Sequence, residues 1–327
     1  MGIRELTKEH QNIAIITHMF PDWDAVWSAV GLGEVLKKTG KNITYFSPNQ
    51  PNKALVDIVW VSFKILESAS ELEQFDLIIA VDSGDERMVF WLLDTKISPD
   101  ILDKILVIDH HHSNSGWWKR NLINGNKWSN CQRISELIID EFPNELFDDR
   151  IATSFLLGMY TDTWGFLWGV DKKTFEIADF WLKKWANQTK IVEKIFLNKH
   201  FGGYQFLSRV INRLKLEEGF AWTWFDDKDL AEFGLDFEEA KWYVAPLLKI
   251  KDVDYVILFK RYWNLVGGSI RSVKNDADKL ATFLGGGGHK AAAGFKVTMK
   301  EGETFEELVE RVLEKVKKYI SNYVSRQ

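Results

Sequence analysis

Four clusters of acidic and histidine residues could do chemistry in this chain. They are His18-x-x-x-Asp22-x-Asp24, Asp82, the run Asp109-His110-His111-His112, and Asp162. Carboxylates and imidazoles without a thiolate are the donor set of a hard or borderline divalent cation, with Mn²⁺ ahead of Mg²⁺ because imidazole is among the donors. Six ligands are too many for one catalytic ion with open positions. Two ions roughly 3.5–4 Å apart, bridged by a carboxylate and a hydroxide, would use them all, and such pairs drive in-line attack at phosphorus.

Taken singly, each residue has a plainer reading. Asp22 or Asp24 could cap a helix, Asp82 could form a turn at a strand end, and His18 could be an ordinary packed histidine. The joint pattern argues otherwise, because the clusters follow predicted elements in the same way. His18 follows the apolar run 13–17, Asp82 follows 77–81, Asp109 follows 105–108, and Asp162 follows a helical pattern ending near 159. In an open α/β sheet the carboxyl ends of the strands form the ligand crevice, so three of the clusters converge there.

The elements that must position these residues read as an α/β protein. Runs 13–17, 43–46, 77–81 and 105–108 are apolar on both faces and alternate with helical patterns at 25–38, 132–141, 150–159 and 172–186, which predicts a mostly parallel, buried sheet. Residues 189–216 read as helical throughout and are expected to form a connector. A second alternation follows: strands at 220–225, 255–259, 265–270 and 295–297, helices at 237–248, 276–284 and 304–320, and a helix-like 290–293. The domain expectation is 1–187, a connector at 188–217, and a smaller α/β domain at 218–327.

The ordered motifs resemble those of the DHH phosphoesterase family. They are His18-Met19-Phe20-Pro21-Asp22-Trp23-Asp24-Ala25, Asp82, Asp109-His110-His111-His112-Ser113-Asn114 and Thr161-Asp162-Thr163-Trp164-Gly165-Phe166. Gly285-Gly286-Gly287-Gly288-His289-Lys290-Ala291-Ala292-Ala293-Gly294 resembles the glycine-rich signature of that family's associated C-terminal domain. Length and layout are similar to the small nanoRNase/pAp-phosphatase branch. The resemblance implies one Mn²⁺ held by His18, Asp22 and Asp82, and a second held by Asp24, Asp82, His110 and Asp162, with Asp82 bridging. It further implies that Asp109 orients the adjacent histidine, that His111 touches the scissile phosphate, and that Asn114 supports that loop and the substrate. In the C-terminal, nucleotide-binding domain, Ser269, Arg271, Gly286, Gly287, Gly288 and His289 are the implied substrate contacts. Arg271 as a plain surface charge is the bland alternative.

The implied activity is hydrolysis of very short oligonucleotides and of 3′-phosphoadenosine 5′-phosphate. A phosphodiesterase for cyclic dinucleotides or their linear products uses the same motifs and stands as the alternative. A catalytically silent nucleotide-binding relative is a third reading, from a different class. Composition narrows partners. The net charge of -5 disfavours a dedicated duplex-DNA binder. No apolar run approaches the ~20 residues of a membrane span. The single cysteine, Cys131, and a charged start without a leader-like run point to the cytoplasm. A homodimer is left open.

Fifteen tryptophans against eight tyrosines are an oddity. Family members usually carry glycine where this chain has Trp23, Trp27 and Trp164, and glycine is also expected at Trp185 and Trp242. Two accounts compete. Either the lineage has adapted to bulky residues, or these codons are UGA, read as glycine in the source genome and spelled here as tryptophan. Tryptophan at five such sites is expected to conflict with a packed core.

Overall fold

The computed structural model describes residues 2–51, 61–90, 93, 97–112, 114, 116–193, 197, 200–235, 240, 243, 247, 250–262, 265–274, 276–288 and 292–324. The chain divides into two compact units, Met1–Leu197 and Asn198–Gln327. Both are α/β.

Strands β1 (Asn12–Ile16), β2 (Asn42–Ser47), β3 (Lys64–Ile65), β4 (Leu77–Val81), β5 (Ile105–Asp109) and β6 (Arg120–Ile123) build the first sheet. Its order is β3-β2-β1-β4-β5-β6, and every pairing is parallel. Alternate residues of one strand feed opposite cores, as the two-residue period of a strand requires. Ile13, Ile15, Ile79 and Ile108 pack with helices Trp23–Lys38, Asn130–Ile139, Asp149–Asp162 and Lys172–Lys183. Ala14, Ile16, Ile78 and Val107 pack on the other face with Phe46 and Phe75. Burial on both faces is why these strands read as continuous apolar runs.

The second unit holds β7 (Lys215–Glu217), β8 (Gly219–Asp226), β9 (Val253–Tyr262), β10 (Leu265–Ser272), β11 (Gly287–Gly288) and β12 (Ala292–Thr298). Their order is β11-β12-β10-β9-β8-β7, antiparallel except for the β8/β9 pair. Helices Ala277–Phe283 and Phe305–Val324 cover one face, and Phe201–Asn212 the other.

Two expectations are corrected. The stretch 188–217 is not helical throughout: Gln188–Val192 and Phe201–Asn212 are helices, but Lys215–Glu217 is a strand. Residues 292–293 are strand and not helix, because Ala292 and Ala293 pair with Arg271 and Ile270 of β10; sheet pairing overrides the helical preference of alanine. Most of the expected helix at 237–248, with Trp242, lies outside the described residues.

Three of these tryptophans fall into two kinds, and Trp23 packs half-buried against the first core. Trp27 is fully buried and the core accommodates it, contrary to expectation, although its Nε1 finds no hydrogen-bond partner. Trp164 and Trp185 instead have left-handed backbones, at φ 54° and 67°. Each follows the cap residue of a helix in the same motif: Gly165 N bonds Tyr160 O while Trp164 N bonds Thr161 O, and Ala186 N bonds Trp181 O while Trp185 N bonds Leu182 O. This is the Schellman ending, whose left-handed position is glycine's own. Trp185 is 81% exposed, so its indole contributes little packing. Trp185→Gly should therefore stabilise the protein by about 1 kcal/mol, seen as a higher urea midpoint at constant slope. No gain at Trp185 would contradict this reading of its backbone. Codons 164 and 185 decide between the two accounts of the tryptophans: UGG means that tryptophan is genuine.

Candidate active site

The first sheet reverses its winding between β1 and β4, where a doubly wound sheet opens its crevice. The metal-type residues gather at that edge. His18 follows β1, Asp82 follows β4, and Asp109 ends β5 with His110 and His111 just beyond. Asp22 is the N-cap of helix Trp23–Lys38, accepting from Ala25 N at 3.1 Å, and Asp24 lies in its first turn. The capping reading of Asp22 is thus correct and compatible with ligation. Asp162 is the last residue of helix Asp149–Asp162.

Three groups have ligand atoms within 4.8 Å of one another: His18, Asp22 and Asp82; Asp82, His110 and His111; and Asp24, His110 and Asp162. His110 Nε2 is 3.2 Å from Asp82 Oδ1, 3.7 Å from Asp162 Oδ2 and 3.8 Å from Asp24 Oδ2. His18 Nε2 is 3.7 Å from Asp82 Oδ2. The other ring nitrogens are anchored, His18 Nδ1 on Met19 O at 2.7 Å and His110 Nδ1 on Lys127 O at 3.2 Å, which turns both Nε2 atoms toward the carboxylates.

Electrostatics favour a cation here. Burial, then the charge of Asp82, pushes Asp24 up to about 6, and burial with the charges of Asp24 and Asp22 holds Asp162 well above the usual carboxylate range. Burial also opposes charge on Asp82, but the facing imidazoles of His110 and His18 hold it well below that range. Burial disfavours a charged His18, yet Asp82 and Asp22 push it up to about 9. Asp82 is buried, and its Oδ1 faces His110 Nε2 at 3.2 Å and His111 Nδ1 at 3.6 Å. Buried, mutually repelling carboxylates converging with imidazole nitrogens fit a site for divalent cations.

His111 is built differently. Its Nδ1 lies 2.7 Å from Asp109 Oδ1; burial disfavours the imidazolium, but Asp109 and Asp82 outweigh it and raise His111 above its ordinary value. Asn114 Nδ2 donates to Asp109 Oδ2 at 2.7 Å and to Ser83 O at 3.2 Å, and its Oδ1 accepts from Gly116 N. Its amide thus braces the loop. His112 is exposed.

In the second unit, Ser269 and Arg271 lie on β10, opposite Gly294 and Ala292 of β12. Burial lowers Arg271 to about 10, which leaves it cationic at neutral pH. A Cβ on Gly286 would come within 2.0 Å of Gly294 O, and one on Gly288 within 2.6 Å of Ala293 Cα. Two of the four glycines therefore have a packing reason of their own, whereas Gly287 faces open space. His289 lies outside the described residues.

Sequence reasoning missed the loop's braces. Phe20 is exposed with φ 53°; its N–H donates to Asn49 Oδ1 at 2.6 Å, and Met19 N donates to Met88 O at 2.6 Å. No periodicity signals such contacts.

Comparison with known proteins agrees with this geometry. Residues 12–159 match the N-terminal domain of the DHH family, and residues 226–322 match the DHHA1 domain. The chain belongs to the DHH family. It is 25% identical to the cyclic-di-AMP phosphodiesterase GdpP of Bacillus subtilis over 99% of this chain and 50% of that protein, so it spans about half the length of that relative. It is 27% identical to the bifunctional oligoribonuclease and PAP phosphatase NrnA of Thermus thermophilus, over 94% of this chain and 90% of that one. An exopolyphosphatase-related protein from Bacteroides fragilis shares the fold, with a TM-score of 0.84 at 20% identity over 96% of this chain and 94% of that chain. Among the described residues no helix is long and apolar enough to cross a membrane.

Proposed function

We propose that the chain is a metal-dependent phosphoesterase that hydrolyses very short oligonucleotides and removes the 3′-phosphate of 3′-phosphoadenosine 5′-phosphate. The observation that carries this is the sharing of Asp82 and His110 among the three ligand groups, which suits two adjacent ions better than two separate ones. His18, Asp22 and Asp82 would hold one ion, and Asp24, Asp82, His110 and Asp162 the other. When bound, the pair, Mn²⁺ before Mg²⁺, supplies a nucleophilic water at neutral pH and neutralises charge on phosphorus.

The chain's own groups do the rest. Asp109 fixes the His111 ring and favours its protonated form, so His111 can donate to a phosphate or leaving oxygen. Ser269, Arg271, the 286–288 glycines and His289 would grip the nucleotide, with Arg271 on a phosphate. The match along 90% of an oligoribonuclease and PAP phosphatase supports this substrate class. The similarity to a cyclic-di-AMP phosphodiesterase supports the second reading. Cytoplasmic location is proposed from the lone Cys131, which is buried.

The test is a side-by-side assay with Mn²⁺ on a dinucleotide, 3′-phosphoadenosine 5′-phosphate and cyclic di-AMP. Dinucleotide and bisphosphate should turn over faster than the cyclic compound. A preference for cyclic di-AMP would replace this reading with the second, and no turnover of any of the three would favour a silent binding protein.

A further inference from the structure

Asn130 belongs to none of the motifs, yet it touches the backbone or side chain of two of the carboxylates assigned above. It is fully buried and opens helix Asn130–Ile139, whose N-cap is Ser129. Its backbone N–H donates to Asp24 Oδ2. The flanking residues hold the other oxygen: Cys131 N donates to Asp24 Oδ1 at 3.0 Å, and Ser129 Oγ donates to it at 3.2 Å. Oriented to suit its neighbours, the Asn130 side-chain amide accepts from Asp82 N at 3.1 Å and from Ser28 Oγ at 3.2 Å, and donates to Ile108 O at 3.2 Å.

Asp82 needs such a hold. Its backbone is left-handed, at φ 56°, a conformation that costs a non-glycine residue energy and persists where surroundings over-determine it. Its N–H also reaches Ile108 O at 2.9 Å, so Asn130 and the end of β5 share the task.

We propose that Asn130 is a positioning residue that sets Asp24 and Asp82 relative to one another: its backbone fixes Asp24 and its side chain fixes the turn that presents Asp82. The proposal rests on the assignment of Asp82 as the bridge between two ions and Asp24 as ligand to one. Truncating the amide should then loosen both ions through Asp82, whereas removing the Ser129 hydroxyl should loosen only the ion that Asp24 holds.

The experiment titrates Mn²⁺ into metal-free protein, followed by electron paramagnetic resonance. Asn130→Ala should bind both ions at least about tenfold more weakly, with turnover recovered at high Mn²⁺. Asn130→Leu, close in shape but with neither donor nor acceptor, should do the same and serves if the alanine variant does not fold. Ser129→Ala should weaken one ion only. Ser135→Ala is the control for a merely structural effect. Its buried hydroxyl donates to Cys131 O in the same helix and accepts from Trp181 Nε1 of helix Lys172–Lys183, so it should lower the melting temperature and leave both affinities unchanged. Parental affinity in the Asn130 variants, or an equal loss in Ser135→Ala, would overturn the proposal. Fewer than two Mn²⁺ in the parent would instead overturn the ligand assignment beneath it.

Discussion

Asp82→Asn should lose Mn²⁺ at both sites together and lower kcat/KM by about 10³-fold or more. Asparagine is the informative substitution because it tolerates the left-handed backbone that Asp82 adopts, where alanine would add strain of its own. It removes the one carboxylate that belongs to two of the three ligand groups. Without that charge two cations a few ångströms apart repel each other unrelieved, so neither is held well. Loss of one ion with the other intact would show that Asp82 does not bridge. Retention of half the parental activity would remove it from the machinery altogether.

Arg271→Ala should keep both ions and still lower kcat/KM on nucleotide substrates by roughly 10²-fold, the size of a lost charge-assisted phosphate contact of about 3 kcal/mol. No metal-type group among the described residues includes a side chain of the second unit, which is why the proposed role of Arg271 is to bind and orient the nucleotide. The loss should be much smaller on bis-p-nitrophenyl phosphate, which has neither a second phosphate nor a base. Equal losses on both substrates would assign Arg271 to the fold. Its place in the middle of the β9–β10–β12 pairing makes that outcome a real test.

The acid and histidine clusters are legible in the sequence because they follow strands whose signal is strongest. β1, β4 and β5 are buried on both faces, and Asp or His after an apolar run stands out against them. Strands without that contrast were missed: β3 has two residues, and β6, Arg120–Ile123, is an exposed-to-half-buried edge. β7 carries no strand signal because three residues are too few to show a period. The braces of the site were invisible for a different reason. Ser129-Asn130 reads locally as a helix start and nothing more, and only the tertiary fold brings it to Asp24 and Asp82, more than a hundred and nearly fifty positions away in the chain. The glycine-like backbone at Trp164 and Trp185 follows two helix ends whose capping geometry no single residue announces.

If Asp82 and its neighbours hold a pair of ions that hydrolyses a phosphoester, activity should follow the second ion. Chelator-stripped protein should be given Mn²⁺ in steps while bound ions per chain and dinucleotide hydrolysis are measured on the same sample. Activity should be absent without metal, remain low at one ion per chain, and rise to its full value as the second binds. Full activity at one ion, or hydrolysis persisting in chelator, would show that the protein does not use a pair of ions.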